Sequence, residues 1–453
     1  MREQSFVMHQ AGGDDLVSDL PIDELAGELL GPVSPMPLNV GAGSIRPIEG
    51  DWRGRKVLAA VFDPSHQQGS IGRDEADQLT RMMRLAAPDT ALVLVMNTSG
   101  IRVTDGVHGI ASLRRLLREA EEARLRGVRM LSLIVRQTFG GASLLAALCE
   151  RRIVHTACLF AMSGPRLIAS AAACGSRDDA AATAIRDAIS GGARAAVSSE
   201  FVCVPDRVSA FRSAMMQWLD ESRPDPFDRG RLVAQGQKLA ARLLMNPSSA
   251  GQTTAAASLL DDAALHILAA IDRSGWDYRR AESVIIAGPR TATGVVALAL
   301  MARDGCSYRD ALALALQLLE IEGNPGSCRH VVIIVDSESH AASLPDERCI
   351  LSEALAFLAL VIRWMSRRGI YVRVIVSGLA GGGIQGALGS AANSVAMAPG
   401  ARLRVLPKAA MAALRKSEDD ESGCVTSAMM AGAVDGEFSC GAVRQEEMVH
   451  VRQ

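Results

Sequence analysis

Two places in this 453-residue chain put paired glycines where a strand hands over to a helix. In "LSLIVRQTFGGASLLAALC" an apolar β-type run reaches Gly140-Gly141, and an Ala/Leu-rich segment follows at once. In "VRVIVSGLAGGGIQGALGSA" the same happens at Gly382-Gly383. A strand that ends on glycines and opens a helix leaves backbone N–H groups unpaired at the positive end of the helix dipole. Without Cβ atoms, a ligand oxygen approaches those groups closely. Such a turn binds phosphate or stabilises an oxyanion. The plainer alternative is that the glycines only let helix and strand pack closely; two pairs in equivalent places favour the functional reading. Phosphate fits less well, because the chain has no GxxxxGK[ST] and no acidic residue at a strand end at the distance a dinucleotide site needs. An oxyanion hole in each half fits better, with further donors from the end of the preceding strand: Ser99-Gly100 in "NTSGIR", and the region after Asp336 in "VDSESH".

The elements that must position these turns alternate along the chain. "KVLAAVF", "ALVLVMN" and "VRMLSLIV" read as strands, separated by the amphipathic "RDEADQLTRMMRLA" and the charged "IASLRRLLREAEEARLRG". The second half repeats the order with "HVVIIVD", the helix "CILSEALAFLALVIRWMSRRG", "IYVRVIVSG" and "NSVAMAPGARLRVLPK". Arg126-Gly127, Gly140-Gly141 and Pro165-Arg166 recur at the same intervals as Arg368-Gly369, Gly382-Gly383 and Pro407-Lys408. Strands alternating with helices imply α/β architecture with mixed, mostly parallel sheets, here one fold used twice. The expected organisation is an N-terminal arm over 1–50, a first domain over 51–245, a linker over 246–265, a second domain over 266–415 and a flexible tail over 416–453.

Composition narrows the function classes. Hydrophobic residues make up 49% of the chain, enough for large cores, and the formal net charge of −2 provides no basic field for nucleic acid or anionic membrane. The N-terminus has no signal-peptide pattern, and no apolar run is long enough for a membrane span. Nine scattered cysteines without a CxxC read as reduced thiols of a cytoplasmic protein, and the eight histidines form no HExxH or HxH metal pattern.

With these residues in view, the chain resembles the crotonase-type carboxyltransferase superfamily, and more narrowly the β and γ subunits of malonate decarboxylase joined in one chain. The β-like resemblance is carried by "QQGSIGRDEADQL", "NTSGIRVTDG", "FGGASLLAALCERRIV" and "SGPRLI". The γ-like resemblance is carried by "IIVDSESH", "VSGLAGGGIQGAL" and "MAPGARLRVLPKAAMAAL". It implies two tandem crotonase-like domains and the biotin-independent decarboxylation of a malonyl thioester to an acetyl thioester and CO2. No cofactor is implied: the acyl group would arrive on an acyl carrier protein, through a phosphopantetheine-type arm, or on CoA. Partners would be the carrier and acyltransferase subunits, or further copies of the chain. Losing CO2 leaves an enolate whose oxygen needs preorganised donors. Gly100, Ile101, Gly140 and Gly141 would hold the thioester carbonyl, and Gly382 and Gly383 the departing carboxylate. Asp336-Ser337-Glu338 departs from the family's Asp-X-Pro, and Gly382-Gly383 from its Ser-Gly.

Ser99, Arg102, Ser143 and Lys408 are candidate substrate contacts. Arg102 could clamp a carboxylate or phosphate or pair with Asp105. Ser143 could cap a helix, and Lys408 could be a solvated strand-end lysine. His108 and His340 fall in loops near the proposed holes and could protonate the enolate, although a solvated loop histidine is the more frequent outcome, and Glu347 could position a neighbouring loop. Cys149 reads as core, and the charges of "RRLLREAEEARLR" as a solvated helix face or i,i+4 pairs rather than a site. Two rival functions stay open: a biotin-dependent carboxyltransferase component served by a separate carrier, and a non-catalytic scaffold that binds a carrier protein.

Overall fold

The computed structural model describes residues 15–36, 38, 43–52, 54–172, 179–221, 228–245, 260–289, 294–326 and 328–404, with the backbone of 434–435. The first half opens with α1 (Ile22–Leu30), β1 (Val33–Pro35), β2 (Ile45–Trp52) and β3 (Arg55–Phe62). Then come α2 (Arg73–Leu85), β4 (Ala91–Thr98), α3 (Gly106–Leu125), β5 (Arg129–Phe139) and α4 (Gly140–Ala147). It continues with β6 (Arg151–Val154), β7 (Leu159–Ala161), α5 (Pro165–Ala171), α6 (Asp179–Ala188), α7 (Gly191–Val197), β8 (Phe201–Cys203) and α8 (Val208–Asp220).

The second half comprises α9 (Arg229–Met245), α10 (Asp262–Ile271), β9 (Trp276–Ala281), β10 (Val284–Pro289), β11 (Val295–Met301) and α11 (Tyr308–Gly323). It continues through β12 (His330–Asp336), α12 (Leu344–Arg348), α13 (Leu351–Arg367), β13 (Tyr371–Val376) and β14 (Leu379–Gly381). It closes with α14 (Gly382–Ala391), β15 (Ser394–Met397), β16 (Arg402–Arg404) and β17 (Val434–Asp435).

The duplication is visible in the topology. In the first sheet an antiparallel pair, β2 on β3, leads into parallel β3-β4-β5-β6. In the second, β10 on β11 leads into parallel β11-β12-β13-β15. The chain reversals match as well. Gly127 and Gly369 end their helices with φ of 85° and 81°, and Gly140 and Gly382 open theirs with φ of 58° and 51°. The residue after each helix-ending glycine reaches back alike, Val128 N–H to Ala123 O at 3.0 Å and Ile370 N–H to Met365 O at 3.1 Å.

Each strand alternates between two cores. Leu58, Ala60 and Phe62 of β3 face the central core, whereas Val57, Ala59 and Val61 face α1 and α8 on the outer side. The second sheet is covered on its outer side by α10 and faces the same central core through Leu298, Leu300, Ile333 and Val374. Between the sheets, α3 and α4 pack directly on α13 and α14. The two halves therefore share one core.

Three sequence expectations change. The stretch read as an arm is folded from Ile22 onward, because Leu25 and Leu29 bury against the first sheet and β2 pairs along the whole of β3. Helix α9, expected in the first domain, packs with the second half: Leu232 and Leu239 enter the central core, and the Tyr308 hydroxyl donates to Leu239 O at 2.8 Å. The charges on α3 form a solvated face only in part: Arg115 and Arg126 are exposed, but others reach the second half. Arg114 donates to Gly389 O, and Arg118 donates to Ser390 O and Ala392 O, at the C-terminal end of α14. There the unpaired carbonyls and the negative end of the dipole suit a cation. Glu121 is fully buried, 3.5 Å from Arg363 and accepting from Ser390 Oγ at 2.5 Å, and Glu122 meets Arg367 at 3.0 Å. A second buried knot joins Glu353 of α13 to Arg152 at 2.5 Å, to Ser198 Oγ at 3.0 Å and to Arg242. Most of the tail lies outside the described residues.

Burial raises the Glu121 carboxyl to about 7 despite the opposing pull of Arg363 and Ser390, and burial likewise raises Glu347 to about 7. Since the folded value exceeds the usual 4.5, the folded state binds more protons between those limits, so both groups make stability fall as pH rises from about 4.5 to about 7. Chemical denaturation at a series of pH values should therefore show a shallower fall for Glu121→Gln than for the parent chain. An equal slope would mean that Glu121 stays ionised in the fold.

Candidate active site

At the first turn, β4 is buried along its whole length and delivers Ser99-Gly100 to the junction of β5 and α4. Gly100 has φ of 107°, and a Cβ on it would lie 2.7 Å from the Phe139 carbonyl oxygen, so glycine is required there. Its N–H donates to Thr98 Oγ1 at 3.0 Å, and the N–H of Gly140 donates to Met162 O at 3.1 Å. Both of these expected donors are engaged inside the protein. The next amide in each segment is open: neither Ile101 N–H nor Gly141 N–H has an acceptor among the described residues. Ile101 is held in place by Ile71, whose N–H donates to Gly100 O at 2.8 Å and whose carbonyl accepts from Arg102 N at 2.9 Å. The two segments touch, since a Cβ on Gly141 would lie 2.7 Å from Ile101 Cγ1. Two amides on adjoining, rigidly held segments, one of them at a helix N-terminus, can bind an oxyanion.

The "QQGSIG" loop braces this turn. Gln67, Gln68 and Gly69 are consecutively left-handed, with φ of 47°, 56° and 66°. Left-handed non-glycine residues carry strain that the surroundings must hold in place. The Gln68 carbonyl accepts from Ser99 N at 3.0 Å, and Gly69 lies so close to β4 that a Cβ would fall 2.2 Å from Asn97 O.

Arg102 pairs with neither Asp105 nor open space. It reaches Glu75 at 2.5 Å and Ser70 O at 3.2 Å, while Asp105 accepts from Arg73 N. Burial would raise the Glu75 carboxyl, but the Ser44 amide and Arg102 outweigh it and hold the group below its usual range. This network ties loop to loop. Ser143 is fully buried; its hydroxyl donates to Gly140 O at 2.7 Å and lies 2.7 Å from Ser352 Oγ on α13, so it faces the second half. Cys149 is buried, and His108, expected in a loop, is exposed on the first turn of α3. Lys408 lies outside the described residues.

At the second turn, the Gly383 N–H donates to His340 Nδ1 at 3.0 Å. A Cβ on Gly382 would lie 2.2 Å from Ser339 Oγ and 2.6 Å from the same ring nitrogen. Burial pushes His340 down to about 4, so the ring is neutral near pH 7. Its Nε2 lies 3.1 Å from Ser163 Oγ, in the first half.

The two turns meet at Met162. Its carbonyl accepts from Gly140, its side chain lies 3.0 Å from where a Cβ on Gly383 would sit, and its N–H donates to Glu347 at 3.3 Å. Glu347 also accepts from Ser163 N at 2.7 Å and pairs with buried Arg194 at 3.3 Å. Glu347 thus holds a loop of the other half. Met162, Ser163 and Arg194 carried no sequence signal as partners of Glu347, apart from the "SGP" that follows Met162. The crevice lined by Leu30, Val33, Trp52, Met215 and Leu219 lies on the outer side of the first sheet, under α1 and α8. Among the described residues, no group of three or more His, Cys, Asp or Glu could hold a metal ion, and no helix is long and apolar enough to cross a membrane.

Comparison with known proteins matches this arrangement to two families. The carboxyl transferase domain family matches residues 39–226, and the malonate decarboxylase gamma subunit family matches residues 302–453. The chain is thus similar to a carboxyl transferase domain over its first half and to a malonate decarboxylase gamma subunit over its C-terminal third. The acetyl-coenzyme A carboxylase carboxyl transferase subunit beta of Pelobacter propionicus is 25% identical over 123 residues, which is 27% of this chain and 43% of that relative. The chain thus spans less than half the length of this curated relative. A Pseudomonas malonate decarboxylase hetero-tetramer in complex with malonate aligns at 19% identity and a TM-score of 0.45, over 53% of this chain and 94% of that one. Transcarboxylase 12S aligns at 16% identity and a TM-score of 0.38, over 90% and 82%.

The glycine geometry predicts unequal costs. Gly100→Ala combines a left-handed backbone, about 1–2 kcal/mol, with a backbone clash of about 1–3 kcal/mol. At Gly140 the nearest atom to an added Cβ is 3.8 Å away, so Gly140→Ala should cost only the left-handed part. Denaturant unfolding of the two variants compares them directly, and equal losses would contradict the close approach at Gly100.

Proposed function

We propose that this protein decarboxylates a malonyl thioester to the acetyl thioester and CO2, using backbone amides as its principal catalytic device. The observation that carries the reading is the pair of unengaged amides, Ile101 N–H and Gly141 N–H, on touching segments beside a helix N-terminus. When the bond between the carboxylate carbon and the α-carbon breaks, its electron pair moves into the thioester, and negative charge builds on the carbonyl oxygen. Donors fixed beforehand at that oxygen stabilise the transition state more than the ground state. CO2 departs, and the enolate carbon takes one proton. No step draws on biotin or a metal. The matches to the malonate decarboxylase gamma family and the carboxyl transferase domain support the substrate class. The acyl group rides on the phosphopantetheine-type arm of an acyl carrier protein or on CoA, and the chain works with carrier and acyltransferase subunits in the cytoplasm.

A second reading, a biotin-dependent carboxyltransferase component, draws on the likeness of part of the chain to an acetyl-coenzyme A carboxylase subunit. One experiment separates the two. Malonyl carrier protein and malonyl-CoA are incubated with the purified chain without biotin and followed by mass spectrometry. Loss of one CO2 from either is the expected result and names the carrier; turnover only when free biotin or a biotinyl protein is added would favour the transferase. Gly141→Val should lower kcat by about 100-fold or more, because its side chain would press on Ile101 and Leu113 and displace the two amides from the oxyanion position, with a circular dichroism spectrum like the parent's. An active variant would remove Gly141 from the site.

A further inference from the structure

A buried hydroxyl beside the two glycine turns has a proton with nowhere to go. Ser163 is fully buried, and His340 Nε2, at 3.1 Å, is the sole partner of its Oγ among the described residues. Which atom donates is decided at the other side of the ring. The Gly383 amide can only donate, so His340 Nδ1 accepts, and a neutral ring then carries its proton on Nε2. His340 Nε2–H therefore donates to Ser163 Oγ, and the Ser163 O–H is left without an acceptor. The 3.1 Å separation would also suit a serine nucleophile and its base, but that pairing needs a bare Nε2, and the Gly383 amide excludes it.

The site is built for this relay. Gly382 cannot carry a side chain, because a Cβ would strike Ser339 and the imidazole. Glu347 fixes the Ser163 backbone through its N–H at 2.7 Å. Met162, next to Ser163, takes the Gly140 N–H on its carbonyl and rests its side chain on Gly383, which puts Ser163 beside the first turn. An unsatisfied buried donor costs about 1–3 kcal/mol and calls for a reason.

The geometry points to Ser163 O–H as a side-chain donor to the acyl oxygen of the substrate, with His340 as its positioning residue. This rests on the decarboxylase reading and adds a donor to the open amides. The chain Gly383 N–H, imidazole and hydroxyl polarises in one direction, so the positive end of α14 reinforces the final donor. The oxygen it serves is that of the thioester, where charge develops. A donor on the departing carboxylate, where charge disappears, would slow the reaction.

The test uses the full chain and malonyl-pantetheine. Ser163→Ala should lower kcat by about 100-fold with little change in KM. His340→Leu should lower it comparably, whereas His340→Gln should restore most of it, because a glutamine amide can accept from Gly383 and donate to Ser163. If the residues only hold the halves together, these variants will change the unfolding midpoint and leave kcat alone, which overturns the inference. Nitrogen-15 NMR of histidine-labelled protein provides a readout independent of turnover. A protonated Nε2 in the resting protein that shifts on addition of malonyl-pantetheine is expected; a protonated Nδ1, or no shift, overturns the relay. If the parent releases no CO2 yet the Nε2–H signal moves, the decarboxylase reading falls and the donor stands.

Discussion

A strand that must become a helix within a single residue is the constraint around which this protein is built. Only glycine enters the left-handed region without a Cβ penalty, and Gly140 and Gly382 do so at the same point of the two halves. The sharp turn leaves the first amides of α4 and α14 clear of the sheet that delivers them. Gly140 hands its own amide to Met162, so Gly141 is the first donor left over. The adjoining loop repeats this pattern, with Gly100 engaged by Thr98 and Ile101 left open.

What surrounds the turns keeps them in register. The halves meet through helices rather than sheets, and the contact is charged as well as apolar: Glu121 with Arg363, Glu353 with Arg152, and Glu347 with Arg194. Buried ion pairs add little net stability, because desolvation offsets their attraction, but they penalise any arrangement in which one partner is left alone. Their value here is positional. Glu347 seats the Met162-Ser163 loop of one half against the second glycine turn of the other, so neither turn can shift without exposing a buried charge. The two turns have diverged within this frame. The first keeps open amides, whereas the second places a neutral imidazole across its amide and reaches outward through it.

The glycine pairs, the alternation of strands and helices and the duplication were legible in the sequence because each is a local matter: φ sign, hydrophobic period and spacing. Ile22–Leu30 was harder to read, since its short helix follows a Gly/Pro/Asp-rich start and gains its stability from Leu25 and Leu29 against the sheet. Helix α9 precedes the linker yet packs beyond it, which no local signal encodes. The charges of α3 looked like a solvated face because any run of Arg and Glu at helical spacing does. Only the presence of α13 and α14 turns Arg114 and Arg118 into caps for a neighbour's carbonyls.

The same division holds at the site. By itself the sequence determined that there are two strand-to-helix glycine turns, where they lie, and that the amides beside them suit an oxyanion, because those properties follow from the absence of a Cβ. It also determined the residue types available for chemistry. Tertiary structure alone decided which amides are open, since Gly100, Gly140 and Gly383 each find an internal acceptor while Ile101 and Gly141 do not. It decided that Arg102 binds Glu75 and that Ser143 faces Ser352, removing both from open space. It also brought His340 to Ser163 across the seam between the halves. A hydrogen bond needs two groups within about 3 Å and correctly oriented, and for residues far apart in the chain only the packing of whole elements sets that distance.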